Sequence, residues 1–150
     1  MGTDTIKVGV IGIGYLGKIH AEKYAHIPDV ELVGVADIDK ARCREVAAQL
    51  NCRPFYNHRD LVGQVEAVSI AVPTVSHYSV TKDSFSAGVD VLLEKPITAT
   101  VQEAQELNAL AKEKNAVFQI GHLERFNGAL TAMNGVLTSP LFIESYRLAP

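Results

Sequence analysis

The chain has 150 residues, of which 47% are hydrophobic and 21% charged, with 14 Lys and Arg against 17 Asp and Glu. This is the size and composition of a soluble globular domain that can bury one sizeable core. The formal net charge of −3 gives no reason to expect nucleic acid or an anionic membrane as a partner. Apolar runs fall short of the roughly 20 residues that span a bilayer, and the N-terminus lacks a signal-peptide pattern, so a cytoplasmic location is expected.

Short apolar runs rich in β-branched residues alternate with helical patterns along most of the chain. The runs are apolar throughout, which is typical of strands in a parallel sheet that helices cover on both faces. We therefore predict a doubly wound α/β domain with a Rossmann-type parallel sheet over residues 1–122. The predicted strands are residues 6–11, 30–36, 67–72, 89–93 and 116–120, with a weaker extended piece at 53–56.

The first two helical patterns are marked by apolar faces and by the residues at their ends. Pro28 ends the first, and Asp39 can cap the second, whose apolar face includes Cys43. Cysteine is among the most buried residue types, so we interpret Cys43 as core. Cys43 and Cys52 together fit neither a disulfide framework nor a metal site. The predicted faces are Leu16, Ile19, Tyr24 and Ile27 in the first helix, and Cys43, Val46, Ala47 and Leu50 in the second.

Two later helices have clear boundaries. One is predicted from Val75 to Ala87 and ends at Gly88. The other begins with a capping box formed by Thr100 and Glu103. Its predicted inward residues are Ala104, Leu107 and Ala111, and Lys112 and Lys114 lie in its last turn.

The segment after residue 122 departs from this alternation. An amphipathic helical stripe is followed by a predicted strand at residues 142–149 that has no following partner. We interpret residues 123–150 as the first helix and strand of a second, incomplete domain. The stripe comprises Phe126, Leu130, Met133 and Leu137.

Residues 12–17 match the pattern G-x-G-x-x-G between a predicted strand and a predicted helix. Gly12 permits a tight turn, Gly14 lets the backbone approach a pyrophosphate, and Gly17 allows the helix to pack closely on the strand. The helix directs its free N–H groups at the phosphates. Asp37 ends the second strand, 20 residues beyond Gly17, where a carboxylate binds the adenosine ribose hydroxyls of a dinucleotide. We predict NAD as the cofactor, because this carboxylate repels a 2′-phosphate.

The charges around Asp37 leave a second interpretation open. Lys40, Arg42 and Arg44 follow closely in the sequence, and an arginine there can accommodate the 2′-phosphate of NADP. Asp37 or Asp39 can also serve only as a cap for the next helix.

Three further polar segments follow predicted strands and so share the carboxyl edge of the sheet, where open α/β sheets bind ligands. They are residues 73–77, with His77, residues 94–96, with Glu94 and Lys95, and residues 121–127. A lysine at this edge can donate to a substrate hydroxyl and favour its deprotonation as hydride leaves the carbon. Taken alone, a charged pair there is more typical of a solvated loop or a salt bridge.

Together these features resemble the Gfo/Idh/MocA family of pyridine-nucleotide oxidoreductases. The motifs that carry the resemblance are the glycine loop extended to His20, residues 36–39, 73–77 and 121–127, and Glu94-Lys95-Pro96. The resemblance implies hydride transfer between a sugar or cyclitol carbon and the nicotinamide, with Lys95 as the catalytic residue beside the reacting hydroxyl. It implies cofactor contacts from Gly12, Gly14, Tyr15, Leu16, Gly17, Asp37, Pro73, Thr74, His77, Glu94, Lys95 and Arg125.

The family resemblance also bears on the second domain and the substrate. It implies an α+β domain that shapes the sugar pocket, mediates homo-oligomer formation and commonly supplies an acid/base histidine. G-H-L-E-R-F-N followed by E-S-Y-R is similar to the branch of UDP-N-acetylglucosamine 3-dehydrogenase-like proteins. That branch usually has Pro where this chain has Gly128, and P-N where it has Pro73-Thr74. An inositol or other sugar dehydrogenase is therefore the alternative.

A competing class of function is a module that binds NAD(H) without turnover. We expect this chain alone to be inactive, because the wall that would hold the sugar lies beyond Pro150.

Overall fold

The computed structural model describes residues 5–136, 138–139, 141–144 and 146. Within them, six strands form one sheet in the order β3-β2-β1-β4-β5-β6, and each neighbouring pair is parallel. The order reverses between β1 and β4, as in a doubly wound dinucleotide-binding fold. The predicted fold class is confirmed. The strands are β1 (Ile6–Ile11), β2 (Val30–Ala36), β3 (Arg53–Phe55), β4 (Ala67–Ile70), β5 (Asp90–Leu93) and β6 (Phe118–Ile120).

Helices cover both faces of this sheet, and each face has its own core. Val10 and Val35 pack against one pair of helices, whereas their chain neighbours Ile11 and Ala36 belong to the cluster on the other face. Consecutive buried residues within a strand explain the apolar runs. The helices are α1 (Tyr15–Tyr24), α2 (Lys40–Gln49), α3 (His58–Val62), α4 (His77–Ser86), α5 (Val101–Lys114) and α6 (Gly128–Ala132), with 3-10 turns at Thr74–Ser76 and Leu123–Phe126.

The predicted apolar face of α1 was only partly correct. Tyr24 packs against the cluster that contains Val10 and Val35, and Ile19 is half-buried. Leu16, in contrast, is 39% exposed, and Ile27 lies beyond the end of the helix and is 45% exposed. The fully buried residues of α1 are Gly17 and Ala21, because a helix that lies very close to the sheet has room only for small residues at the point of contact.

The predicted buried face of α2 and the predicted capping box of α5 are confirmed. Cys43, Val46 and Ala47 are buried in α2 as expected, and Leu50 packs against the same cluster. The capping box of α5 is present: Thr100 accepts from the Glu103 N–H, and the Glu103 carboxylate accepts from the Thr100 N–H.

The segment after β6 has less regular structure than predicted. Phe126, Leu130 and Met133 are exposed, and Leu137 lies outside the described residues. Of the predicted strand at 142–149, residues 142–144 and 146 are described and form no strand, and the others lie outside the described residues. A strand needs a neighbour for its ladder of hydrogen bonds, and no described strand pairs with these residues.

Two features, a membrane-crossing helix and a metal-binding cluster, are absent from the part of the chain that the structure describes. None of the helices there combines the length and the apolar character needed to cross a membrane. Groups of three or more His, Cys, Asp or Glu side chains suited to holding a metal ion do not occur among the described residues.

Candidate cofactor site and active site

The three glycines of the loop between β1 and α1 have different structural roles. Gly12 has a φ of +87°, and a Cβ there would lie 2.7 Å from the carbonyl oxygen of Ala71. A Cβ on Gly17 would lie 1.7 Å from the carbonyl oxygen of Gly12. A Cβ on Gly14 would meet no described atom within 4 Å beyond its chain neighbours. The fold itself therefore requires glycine at 12 and 17, but not at 14.

Gly14 is also the residue that precedes α1. Among the described residues no side chain caps the start of α1, and its first turn contains no acidic residue. Free N–H groups and the positive end of the helix dipole attract an anion, and the bare backbone at Gly14 leaves it room to approach. Tyr15 and Leu16, both exposed, begin the helix beside this loop.

Asp37 ties the end of β2 to the glycine loop. Its Oδ2 accepts from the Ile13 N–H at 2.7 Å, and its Oδ1 accepts from the Asp39 N–H at 2.8 Å. Asp39 is the residue that caps α2, because its Oδ1 accepts from the N–H groups of Ala41 and Arg42. The interpretation of Asp37 as a helix cap is therefore wrong, and Asp37 stands at the edge predicted for the ribose.

A cavity of about 820 Å³ opens beside these groups at the carboxyl ends of the strands. It lies where the strand order reverses, the usual ligand crevice of an open α/β sheet. A cleft of about 740 Å³ at the amino ends of the strands, lined by Lys7 and Arg53 among others, is at the wrong edge for this role. The lining of the larger cavity includes Gly12, Gly14, Asp37, Ile38, Arg42, Tyr56, Pro73, Ser76 and Val80.

His77 holds two loops of this edge together from within the protein. Its side chain is buried (1% exposed), with Nδ1 2.8 Å from the carbonyl oxygen of Pro96 and Nε2 2.9 Å from that of Val72. Carbonyl oxygens only accept, so the ring nitrogen that carries the N–H donates to its carbonyl oxygen, and the tautomer decides which of the two contacts this is. The His77 ring therefore joins the loop after β4, with Pro73 and Thr74, to the turn after β5.

Glu94 and Lys95, at the end of β5, have opposite environments. Lys95 is exposed, whereas Glu94 is buried, with its Oε2 accepting from the Lys95 N–H at 3.3 Å. The Glu94 Oε1 lies 3.2 Å from Nε2 of His20 on α1 but makes no well-aligned hydrogen bond to a described group. A Cβ on Gly121, after β6, would come within 2.8 Å of the same oxygen. Three chain segments therefore meet at this carboxylate.

Four of the twelve predicted cofactor contacts line the cavity, namely Gly12, Gly14, Asp37 and Pro73, and the predicted catalytic residue Lys95 lies outside its lining. Arg125 and His122 lie after β6, and both are exposed outside the cavity. The pairing of His20 with Glu94 and the contribution of Tyr56 to the cavity were not predicted. Tyr56 is the last residue of the weakly predicted extended piece at 53–56 and directly follows the observed β3, so its place at the carboxyl edge was the available signal.

Comparison with known proteins agrees with this geometry. The profile of the Gfo/Idh/MocA oxidoreductase family, with an NAD-binding Rossmann fold, matches residues 6–122. UDP-N-acetylglucosamine 3-dehydrogenase from Acidithiobacillus ferrooxidans is 42% identical over 97% of this chain and 46% of its own length. A crystal structure of that enzyme superposes with a TM-score of 0.83 over 88% of this chain and 43% of that one.

A structure of scyllo-inositol dehydrogenase from Lactobacillus casei, with bound NAD(H) and scyllo-inositol, has a TM-score of 0.83 at 28% identity. It covers 89% of this chain and 41% of that one. The chain thus spans less than half the length of these relatives.

Proposed function

Because the chain belongs to the Gfo/Idh/MocA oxidoreductase family, we propose that it is the cofactor-binding half of an NAD-dependent dehydrogenase acting on a sugar hydroxyl. The relative that is 42% identical acts on a nucleotide sugar, which makes a nucleotide sugar the favoured substrate and an inositol the second candidate. The cofactor assignment rests on the open space at Gly14, a position at which the fold itself does not require a glycine.

The residues present fit NAD in three places. The pyrophosphate would lie against Gly14 and the uncapped start of α1. The adenosine ribose would donate to Asp37, whose oxygens retain lone pairs beyond the two backbone N–H groups that they already accept. The adenine would enter the cavity beside Ile38 and Pro73.

Lys95 would act on the substrate. When bound, NAD supplies a nicotinamide ring that accepts the hydride. The exposed Lys95 Nζ would donate a hydrogen bond to the reacting hydroxyl oxygen and stabilise the negative charge that develops there as the proton leaves. The C–H electron pair leaves as hydride, the proton passes to a base, and the alcohol becomes a ketone. We assign that base to the second domain.

Residues 123–150 would begin that second domain. Exposed apolar side chains concentrate here, including Leu123, Phe126, Leu130, Met133 and Phe142. An apolar stretch of this kind needs covering, which supports a substrate domain and a homo-oligomeric enzyme.

Calorimetric titration of NAD against the wild-type chain and a Gly14→Val variant tests the cofactor assignment. We expect at least about a tenfold loss of affinity in Gly14→Val, because the side chain would occupy the space of the pyrophosphate. The melting temperature should stay close to that of the wild type, since a Cβ at this position meets no described atom within 4 Å beyond its chain neighbours. Gly128→Val is the matched control, because a Cβ there also meets no described atom within 4 Å and Gly128 lies outside the cavity lining. Unchanged NAD affinity in Gly14→Val would overturn the proposal.

A further inference from the structure

An asparagine is followed by a glycine twice in the segment after β6, at residues 127–128 and 134–135. Asparagine is among the thermolabile residues of proteins. A following glycine favours the reaction of its amide, because glycine has no side chain to keep the next backbone nitrogen away from that amide. Both asparagines are exposed, so the access of water does not distinguish them.

The reaction is the closure of a five-membered ring. The backbone nitrogen of the glycine attacks Cγ of the asparagine: an N–Cγ bond forms, the Cγ–Nδ2 bond breaks, and the amide group leaves as ammonia with the proton of the glycine N–H. Water from the solvent then opens this succinimide at one of its two carbonyl carbons and leaves aspartate or isoaspartate. Ring closure therefore needs a side-chain amide that is free to turn toward the glycine.

Asn127 is held in an arrangement that opposes ring closure. It caps the start of α6: its Oδ1 accepts from the Ala129 N–H at 2.9 Å, and its Nδ2 donates to Oε2 of Glu124 at 2.8 Å. The nitrogen that would attack belongs to Gly128, the first residue of α6, whose backbone the helix fixes. Both hydrogen bonds of the Asn127 amide must break before its Cγ can approach that nitrogen.

Asn134 lacks these restraints. It lies beyond the end of α6, in a turn where its own N–H donates to the carbonyl oxygen of Thr131 at 3.2 Å. Among the described residues, neither the side-chain amide of Asn134 nor the N–H of Gly135 has a hydrogen-bond partner. Gly135 has a φ of +85°, so the attacking nitrogen lies in a turn and not in a helix.

We propose that Asn134 is a site of spontaneous deamidation, whereas the cap at the start of α6 protects Asn127. The product adds one negative charge to a chain whose formal net charge is −3. The new carboxylate stands in the sequence between Met133 and Val136, whose side chains are exposed. Because a carboxylate is costly to bury, the deamidated chain would resist the covering of these apolar side chains by a partner.

Mass spectrometry of the native chain during incubation at mildly alkaline pH tests this proposal. Trypsin releases residues 126–147 as one peptide that carries both asparagines, and fragment ions assign the mass gain of deamidation to its position. We expect Asn134 to react at least about tenfold faster than Asn127, as for the two hydrogen bonds that Asn127 must first break. In urea the two rates should converge, because the cap is lost.

Variants separate the two positions. Glu124→Ala removes the acceptor of the Asn127 amide and should speed the reaction at Asn127 alone. Gly135→Ala should slow the reaction at Asn134, and the matched control Gly128→Ala should leave Asn134 unchanged. Equal rates in the native chain, or a faster reaction at Asn127, would overturn the proposal. A ratio that persists in urea would also overturn it, because the difference would then come from the flanking residues and not from the fold.

Discussion

Replacement of His77 by alanine should destabilise the domain far more than replacement of an exposed histidine. The buried imidazole contacts the carbonyl oxygens of Val72 and Pro96 at 2.9 and 2.8 Å, and alanine leaves both without this partner. A buried polar group left unsatisfied costs about 1–3 kcal/mol, and the ring also leaves a cavity. We therefore expect a loss of about 3–5 kcal/mol in the free energy of unfolding, out of the roughly 5–15 kcal/mol of an ordinary domain.

Urea denaturation followed by circular dichroism, together with thermal melting, measures this loss. At about 2–4 °C per kcal/mol, the melting temperature should fall by about 6–20 °C. His26→Ala is the matched control: its ring also contacts a carbonyl oxygen, that of Glu22, but its side chain is exposed. His77→Gln should recover part of the loss, since its amide group carries two N–H donors. A loss below about 1 kcal/mol in His77→Ala, or one equal to that of His26→Ala, would refute the role of the two contacts.

Two further predictions concern titrating side chains outside the cavity. Burial alone raises the pKa of Asp83, but hydrogen bonds from His58 and Arg59 outweigh it and lower the pKa below the ordinary value of 3.8. The carboxylate therefore stabilises the fold above that value and ceases to do so as the pH falls through its own lower pKa. Asp83→Asn should be less stable than the wild type by about 1 kcal/mol at pH 7, with the difference vanishing near pH 2; a difference that persists in acid would contradict the linkage. Burial raises the pKa of Cys52 to about 11, so about one thiol in a thousand is ionised at pH 8. Ellman's reagent should label the native chain slowly and the urea-unfolded chain at once, and rapid native labelling would contradict the raised pKa of this half-buried thiol.

The sheet and the cofactor loop were predictable because their signals are local. Val10 and Ile11 face opposite cores, so the apolar run itself indicates a strand buried on both sides. The spacing from Gly17 to Asp37 spans one helix and one strand, and the fold places them as expected. The spacing of residues in the sequence is enough to predict the position of a motif wherever that motif lies within a single β-α-β unit.

The contacts that organise the active edge were not predictable, because they join residues that are far apart in the sequence. Nothing near His77 indicates that its ring turns inward to Val72 and Pro96, and nothing near His20 indicates Glu94. The prediction for α1 was wrong at Leu16 and Ile27 for a related reason. The helix lies so close to the loop before it that only glycine fits at position 17, and the periodicity of the apolar residues carries no signal of this approach.

The meeting of three segments at Glu94 couples the positions at which this protein can change during evolution. A Cβ at Gly121 would lie 2.8 Å from Oε1 of Glu94, so the end of the glutamate side chain would have to shift to admit any other residue. Such a shift would in turn alter the 3.2 Å contact of that oxygen with Nε2 of His20. Substitutions at positions 20, 94 and 121 are therefore expected to be epistatic, because a change at one position alters the contacts of the other two. Alignments of related chains should show these three positions varying together.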